Sequence, residues 1–467
     1  MYKSDLFLVF SSLSPSEKRV FSKFLNSPFF NQKQKTLDLW DYLLKNAKFG
    51  APAFKKEKVF ESLFLGEPYT DKEMRHIMSW LLKAIEQFLA YSEYKSTPGT
   101  ETLYLARAYK NRKLGKLFQK SIRRTETQLS KTQQGQDYFY NSYLVEFEKY
   151  EFAESLQRSS ENNLREMNVA LDKHLLISKL KQACLLRSHQ SVFKTDYDFT
   201  LVELLLDFIK TSVYKNDPTI AAFHNCYLAL NKEDESAFQN LKETIKHKSV
   251  LFSSKDLRIL YLFSMNFAIR KLNTGDPAYP REAFELYRFG LVNDILIVDN
   301  VLSHFAYNNI VSIGLKLKEF DWLEHFIEQY KLLILPRYRE SYFTYNRARI
   351  FFTKRDYTNA MKLLHQVDER DLLLNLDAKV MLLKLYFELD EYDALSSLLA
   401  SFKVMLTRKK LLSYHKTHYS NIIKFTNRLL HLKPRDQKAH DKLAHDIRAA
   451  EMLQEKEWLL EQLGMVK

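Results

Sequence analysis

Glycine is scarce and scattered in this chain. Nine glycines in 467 residues lie at Gly50, Gly66, Gly99, Gly115, Gly135, Gly275, Gly290, Gly314 and Gly464, and no two are close together. Dinucleotide fingerprints and P-loops need clustered glycines, because only glycine lets the backbone approach a pyrophosphate, so both are excluded. Proline is equally sparse, with ten residues, and long stretches have neither helix breaker. There are only two cysteines, Cys184 and Cys226, far apart in sequence. Two cysteines cannot build a disulfide framework or a zinc site alone, and buried free thiols are expected. Leu6-Phe-Leu-Val-Phe10 is an apolar run of five residues, too short for a signal peptide. No window reaches the roughly eighteen apolar residues of a membrane span. The expectation is a cytoplasmic chain with no membrane partner. Alternating Val-Ile-Thr runs are scarce, which leaves little strand signal.

What remains is apolar, aromatic and basic. Hydrophobic residues make up 46% and aromatics 14% of the chain, enough for a large core. Leu, Lys, Phe, Glu and Ala fill the uninterrupted stretches, so the expected fold class is all-α. The net charge of +14 is concentrated. Residues 105–131 hold nine Lys/Arg against one acid, Glu126, and residues 401–448 hold twelve against three, Asp436, Asp441 and Asp446. These two segments account for the whole excess. Such segments suit a phosphate backbone, or a solvated helix face whose lysine stems cover apolar neighbours.

Residues 1–95 read as an N-terminal helical unit. Ser14-Pro-Ser-Glu17 is a helix start with a capping box. Helices follow around Leu37–Leu44, around Val59–Phe64, and from Asp71, taken as a cap, to Leu89. The Phe54–Leu89 stretch resembles a helix-turn-helix and would offer Lys72, Arg75, His76 and Lys83 to DNA. Its last helix is apolar on more than one side, which favours a core-forming hairpin. Ser96-Thr-Pro-Gly-Thr100 reads as a linker. A middle helical region runs over 101–249, with turns at Asn216-Asp-Pro218 and Glu233-Asp-Glu235.

A spacing then recurs. Phe320, Leu323, Ile327 and Tyr330 are separated by three, four and three positions. Tyr357, Ala360, Leu364 and Val367 repeat that spacing, as do Tyr392, Leu395, Leu399 and Phe402. The sets begin 37 and 35 residues apart, each after a charged break: Lys318-Glu319, Arg355-Asp356 and Asp390-Glu391. An apolar helix precedes each break, over 301–315, 342–352 and 378–389. This pattern resembles the tetratricopeptide repeat, a helix-turn-helix unit of about 34 residues. Ala348 with Phe351, and Ala360, fit its small and aromatic positions. Leu383 is larger than the pattern prefers, and Leu323 and Leu395 also depart from it, which predicts looser or differently angled packing there. Pro336 falls near the repeat-end proline. Ala283 and Tyr287 mark an earlier second helix, its pairing with 256–270 disturbed by the insertion 273–280. The resemblance covers about 300–405 well and 220–300 weakly. Residues 250–435 are therefore taken as the repeat-like region, and 436–467 as a single capping helix started by Asp436 with Gly464 beyond its end.

The resemblance implies an α-solenoid scaffold that binds a partner protein or peptide on a concave groove. Asn308, Asn309, Tyr345, Asn346, Arg349 and Lys379 are candidate groove residues by polarity and spacing. The alternative is association with RNA or DNA through Arg107, Lys110, Arg112, Lys116, Arg123, Arg124, Arg408, Lys409 and Lys410. His415 with His418, and His440 with His445, lack the His-Glu-x-x-His pattern and sit among bases, so structural histidines are expected rather than a metal site. No nucleophile elbow, Cys–His pair or kinase set is present. The expectation is a non-enzymatic chain with no cofactor.

Overall fold

The structure is a computed structural model. It describes residues 1–49, 51–155, 163–193, 195–367, 371–408, 413–433, 436–453 and 455–465. The fold is all-α, with 23 α-helices among the described residues. Contacts divide the chain into two units. The first holds residues 1–181, 201–220 and 250–253; the second holds 182–200, 221–249 and 254–467.

In the first unit, α1 (Asp5–Ser12), α2 (Pro15–Leu25), α3 (Gln34–Asn46) and α4 (Lys56–Leu63) all pack against α5 (Asp71–Ser96). The capping box at Ser14 is present: the Ser14 backbone N–H donates to Glu17 at 2.7 Å, and the Glu17 N–H to the Ser14 hydroxyl at 3.2 Å. α1 is absent from the sequence-based expectation, which took its apolar run only as too short for a signal peptide. Asp71 is the first helical residue rather than a cap, and its carboxylate binds Lys56 at 2.8 Å and Arg75 at 2.9 Å. α5 buries Met74, Ile77, Leu81, Ile85 and Phe88 against Phe21 and Trp40. It is therefore a core helix, and burial of each such side chain contributes roughly 1.5–3 kcal/mol. Next come α6 (Thr100–Asn111), α7 (Gly115–Leu129) and α8 (Gln136–Ser155), each packed on the other two around Phe118, Ile122 and Val145. The unit also takes the first part of α9 (Leu164–Phe193) and α10 (Thr200–Thr211).

The second unit continues through α11 (Pro218–Lys232), α12 (Glu235–His247), α13 (Ser254–Asn273) and α14 (Tyr279–Val292). The insertion after α13 forms only a turn at Gly275, whose φ is +89°, and α13 and α14 still pack together. The helix expected from 301 starts at 304, because 301–302 belong to a two-residue hairpin. β1 (Ile297–Val298) pairs antiparallel with β2 (Val301–Leu302), and Asp299 and Asn300 take the positive φ that such a tight turn requires.

Then come three successive helix pairs: α15 (His304–Lys316) with α16 (Phe320–Tyr330), α17 (Pro336–Thr353) with α18 (Tyr357–Leu364), and α19 (Leu372–Glu388) with α20 (Tyr392–Arg408). Each second helix begins on the aromatic residue expected. Each helix packs on the next, and α17 also packs on α15 and α19. Pro336 opens α17 rather than ending a pair; its missing N–H costs nothing at the first helical position. Leu323, Ile327, Ala360, Leu364, Leu395, Leu399 and Phe402 are all buried.

The charged breaks are the turns inside these pairs. Lys318, Arg355 and Asp390 adopt left-handed φ of 60°, 62° and 59°. The following N–H reaches back five residues in each case: Glu319 to the Gly314 carbonyl at 2.9 Å, Asp356 to Phe351 at 2.9 Å, and Glu391 to Tyr386 at 2.8 Å. This is a Schellman ending, usually made by glycine. Lys113 repeats it between α6 and α7, with φ 58° and the Leu114 N–H on the Tyr109 carbonyl at 3.0 Å. The chain closes with α21 (Ser413–Leu430), α22 (Gln437–Ala449) and α23 (Lys456–Met465). The single C-terminal helix expected is thus two helices, broken after Ala449, with Gly464 inside the second. Asp436 does cap α22, accepting from the Ala439 N–H at 3.0 Å.

Candidate functional site

Polar side chains converge on one side of the first helices of the second unit. Spacings of three, four or seven put them on one face of each helix: Asn308 and Ser312 on α15, Tyr345 and Arg349 on α17, Asp377 and Lys384 on α19, and His415 and His418 on α21. The Arg349 guanidinium organises the centre. One nitrogen, Nη1, donates to Asn308 Oδ1 and to Asn346 Oδ1, both at 3.0 Å, and Nη2 donates to the Ser312 hydroxyl at 2.7 Å. Asn346 is itself buried and donates to the Tyr342 carbonyl at 2.9 Å. The fork is therefore held on three partners and cannot swing.

Three cavities lie along this face, the central one sharing lining residues with each of the others; together they form a trough. The central one, of 550 Å3, is lined by Asn308, Ser312, Arg349, Asp377, Lys384 and Glu455 among others. On one side a 150 Å3 cavity adds Phe305, Tyr342, His415 and Tyr419. On the other a 710 Å3 cavity adds Tyr357, Phe387, Glu388, Tyr392 and Trp458. Lys384 crosses between them, paired with Glu455 at 2.8 Å and lying over the rings of Phe352 and Trp458. Asp377 accepts from the Tyr419 hydroxyl at 2.7 Å. Burial pushes its carboxyl above the usual carboxylate range, and the Tyr419 hydrogen bond and the Arg349 charge only partly counter this. Burial likewise lowers the His418 imidazole below its ordinary value.

Among the expected groove residues, Asn308, Tyr345 and Arg349 line the trough. Asn346 lies beneath it as a buried support for Arg349, so it is not available to a partner. Asn309 is exposed, one residue round the helix from Asn308. Lys379 stands two residues from Asp377, on a different face of α19. Sequence reasoning missed Ser312, Asp377 and Lys384; Ser312 stands one turn from Asn308, which was the available signal, whereas Asp377 and Lys384 stand two and five residues from Lys379, out of its helical phase. No group of three or more His, Cys, Asp or Glu able to hold a metal exists among the described residues.

The basic segments divide. Arg107 and Lys110 on α6 are committed to Glu148, a buried carboxylate of α8, with Lys110 at 2.6 Å and also paired with Glu151. Burial alone would lower the Lys110 ammonium, but the two carboxylates outweigh it and its pKa lies above the ordinary lysine value. These two cations hold helices together. Arg112 donates to the Ala108 carbonyl at 3.0 Å. Lys116, Arg123 and Arg124 lie exposed on α7, together with Lys120. Arg408 is exposed at the end of α20, and Lys409 and Lys410 lie outside the described residues. Arg428 is neutralised by Asp446 at 2.7 Å. The Cys184 and Cys226 thiols, distant in sequence, meet in the second unit, and burial pushes the Cys226 thiol well up.

No helix among the described residues is long and apolar enough to cross a membrane. Comparison with known protein families, curated proteins and solved structures finds no match for this chain.

Proposed function

We propose that this protein is a non-catalytic scaffold of tetratricopeptide-like helix pairs, which holds a segment of a partner protein in the trough of the second unit. The observation that carries this reading is the alignment of the Asn308, Arg349, Asp377 and Lys384 side chains from three successive first helices along one continuous opening. Each of these groups is held by a polar partner, Asn308 and Arg349 by each other, Asp377 by Tyr419 and Lys384 by Glu455, a preorganised surface that suits recognition. The aromatic walls of the 710 Å3 cavity supply rigid apolar area of the kind that anchors interfaces. The repeated turns at Lys318, Arg355 and Asp390 support the repeat reading.

The test is to block the trough without disturbing its floor. Thr353 is exposed and lines both larger cavities. Affinity capture from the native cell, with nuclease present, is expected to recover a defined partner with the wild type and to lose it with Thr353→Trp, at an unchanged melting curve. Equal capture by both proteins would remove the trough as the binding site.

A further inference from the structure

We propose that the exposed face of α7 in the first unit is a docking surface for the phosphate backbone of a nucleic-acid strand. This site is independent of the trough and stands whether or not the scaffold reading holds.

The argument begins with which cations are free. Residues 105–131 carry nine Lys/Arg, but Arg107 and Lys110 are already neutralised by Glu148 and Glu151. Lys116, Lys120, Arg123 and Arg124 differ: all four are exposed, and none has an ion-pair partner among the described residues. Their spacing puts them along one face of α7, over about 12 Å at 1.5 Å per residue. A single strand presents one phosphate per roughly 3.4 Å of axis, so three to four phosphates face the stripe. The one acid of the segment, Glu126, points elsewhere, its carboxylate bound to Lys149 of α8 at 3.0 Å.

The rest of the face decides between anionic partners. Only polar side chains line the shallow trough over the stripe: the four cations, Gln119, Thr127 and Gln128. Gln and Thr interleaved with Arg and Lys are the donors that grip phosphate and sugar. A membrane surface is disfavoured, because an interfacial helix must offer an apolar face to the lipid. That face of α7, with Phe118, Ile122 and Leu129, is buried in the protein core. An acidic protein segment is disfavoured because its interface needs a buried apolar or aromatic anchor, and none lines this trough. No aromatic side chain is there for base stacking either, so the backbone is read and sequence is not.

The test uses the full chain and a short fluorescent RNA strand or DNA duplex, followed by polarisation over a salt series. The wild type is expected to bind either probe without sequence preference, with a log–log salt slope of about −2.8 on the RNA strand and about −3.6 on the duplex, as four phosphate contacts require. Lys116→Gln/Lys120→Gln/Arg123→Gln/Arg124→Gln is expected to lose at least tenfold in affinity and to flatten that slope, with an unchanged circular dichroism melt. A control of equal net charge, Arg19→Gln/Lys23→Gln/Lys45→Gln/Lys58→Gln, is expected to retain wild-type binding; these residues are all exposed on other helices. Equal losses in the two variants would reduce the effect to bulk charge and overturn the assignment. Wild-type protein that ignores both probes, or that prefers phosphatidylserine vesicles or polyglutamate to them, would overturn it as well.

Discussion

The pairs α15/α16 and α17/α18 occupy the same register, 37 residues apart, and solve the same packing problem in opposite ways. In α15/α16 the first helix contributes Gly314 and the second Leu323. A Cβ built on Gly314 would stand 2.7 Å from Leu323 Cδ2, so the leucine fills the space the glycine leaves. In α17/α18 the register of Gly314 holds Phe351, and that of Leu323 holds Ala360, fully buried. The large and small residues have changed helices. Leu323 departs from the repeat pattern, but the complementary Gly314 on the facing helix keeps the contact close. What recurs between the pairs is one large and one small residue at these two positions, not the residue at either. Close-packed interiors work this way, since volume must be filled but either side of a contact can fill it.

The largest expected effect comes from removing the large partner where the other is glycine. Leu323→Ala leaves a void that Gly314 cannot fill, and we expect a loss of about 2–5 kcal/mol in urea unfolding. The comparison sharpens if Gly314→Leu is added: this double variant carries the large-on-first, small-on-second order of α17/α18 and is expected to recover part of the loss. Absence of coupling between the two changes, which contacting residues show at about 0.5–3 kcal/mol, would mean that the positions do not share one space.

Ala360→Leu is the converse. It adds bulk to the pair whose large residue is already Phe351, and overpacking is expected to cost about 1–3 kcal/mol. An unchanged denaturation midpoint would mean that α18 has room at Ala360 and that the register relating the two pairs is misassigned.

Helix type, the second-helix starts and the buried stripes were legible in the sequence, because apolar spacing reports directly on which face a helix buries. The trough was legible only in part. Polarity on a first helix identified Asn308 and Arg349, yet could not show that Asn346 faces inward to brace the arginine. Asp377 and Lys384 were hidden because a charged residue in an apolar helix reads as solvated surface until its neighbours are known. The basic segment 105–131 was visible as a charge, but its division into bound α6 cations and free α7 cations depends on Glu148, which lies well outside that segment. The break between α22 and α23 was missed for the opposite reason: no glycine or proline marks it, and the apolar spacing continues across it.

The smallest predicted effect concerns what the two pairs have in common. The turns of both end on a left-handed residue, Lys318 and Arg355, where a glycine would ordinarily signal the helix end; the punctuation was therefore readable only as charge. A side chain in that conformation costs roughly 1–2 kcal/mol, whereas glycine adopts it freely. Glycine also loses more chain entropy on folding, about 0.4–1 kcal/mol of which opposes the gain. The Arg355 side chain is exposed and has no ion pair among the described residues, so little else is lost on replacing it. Arg355→Gly is therefore expected to stabilise the second unit slightly, by under about 1 kcal/mol, read as a higher urea midpoint at unchanged slope. Lys318→Gly should behave alike if the turns are equivalent. Destabilisation by both would show that these residues do not hold the left-handed turn in solution, and stabilisation by only one would show that the two turns are not built alike.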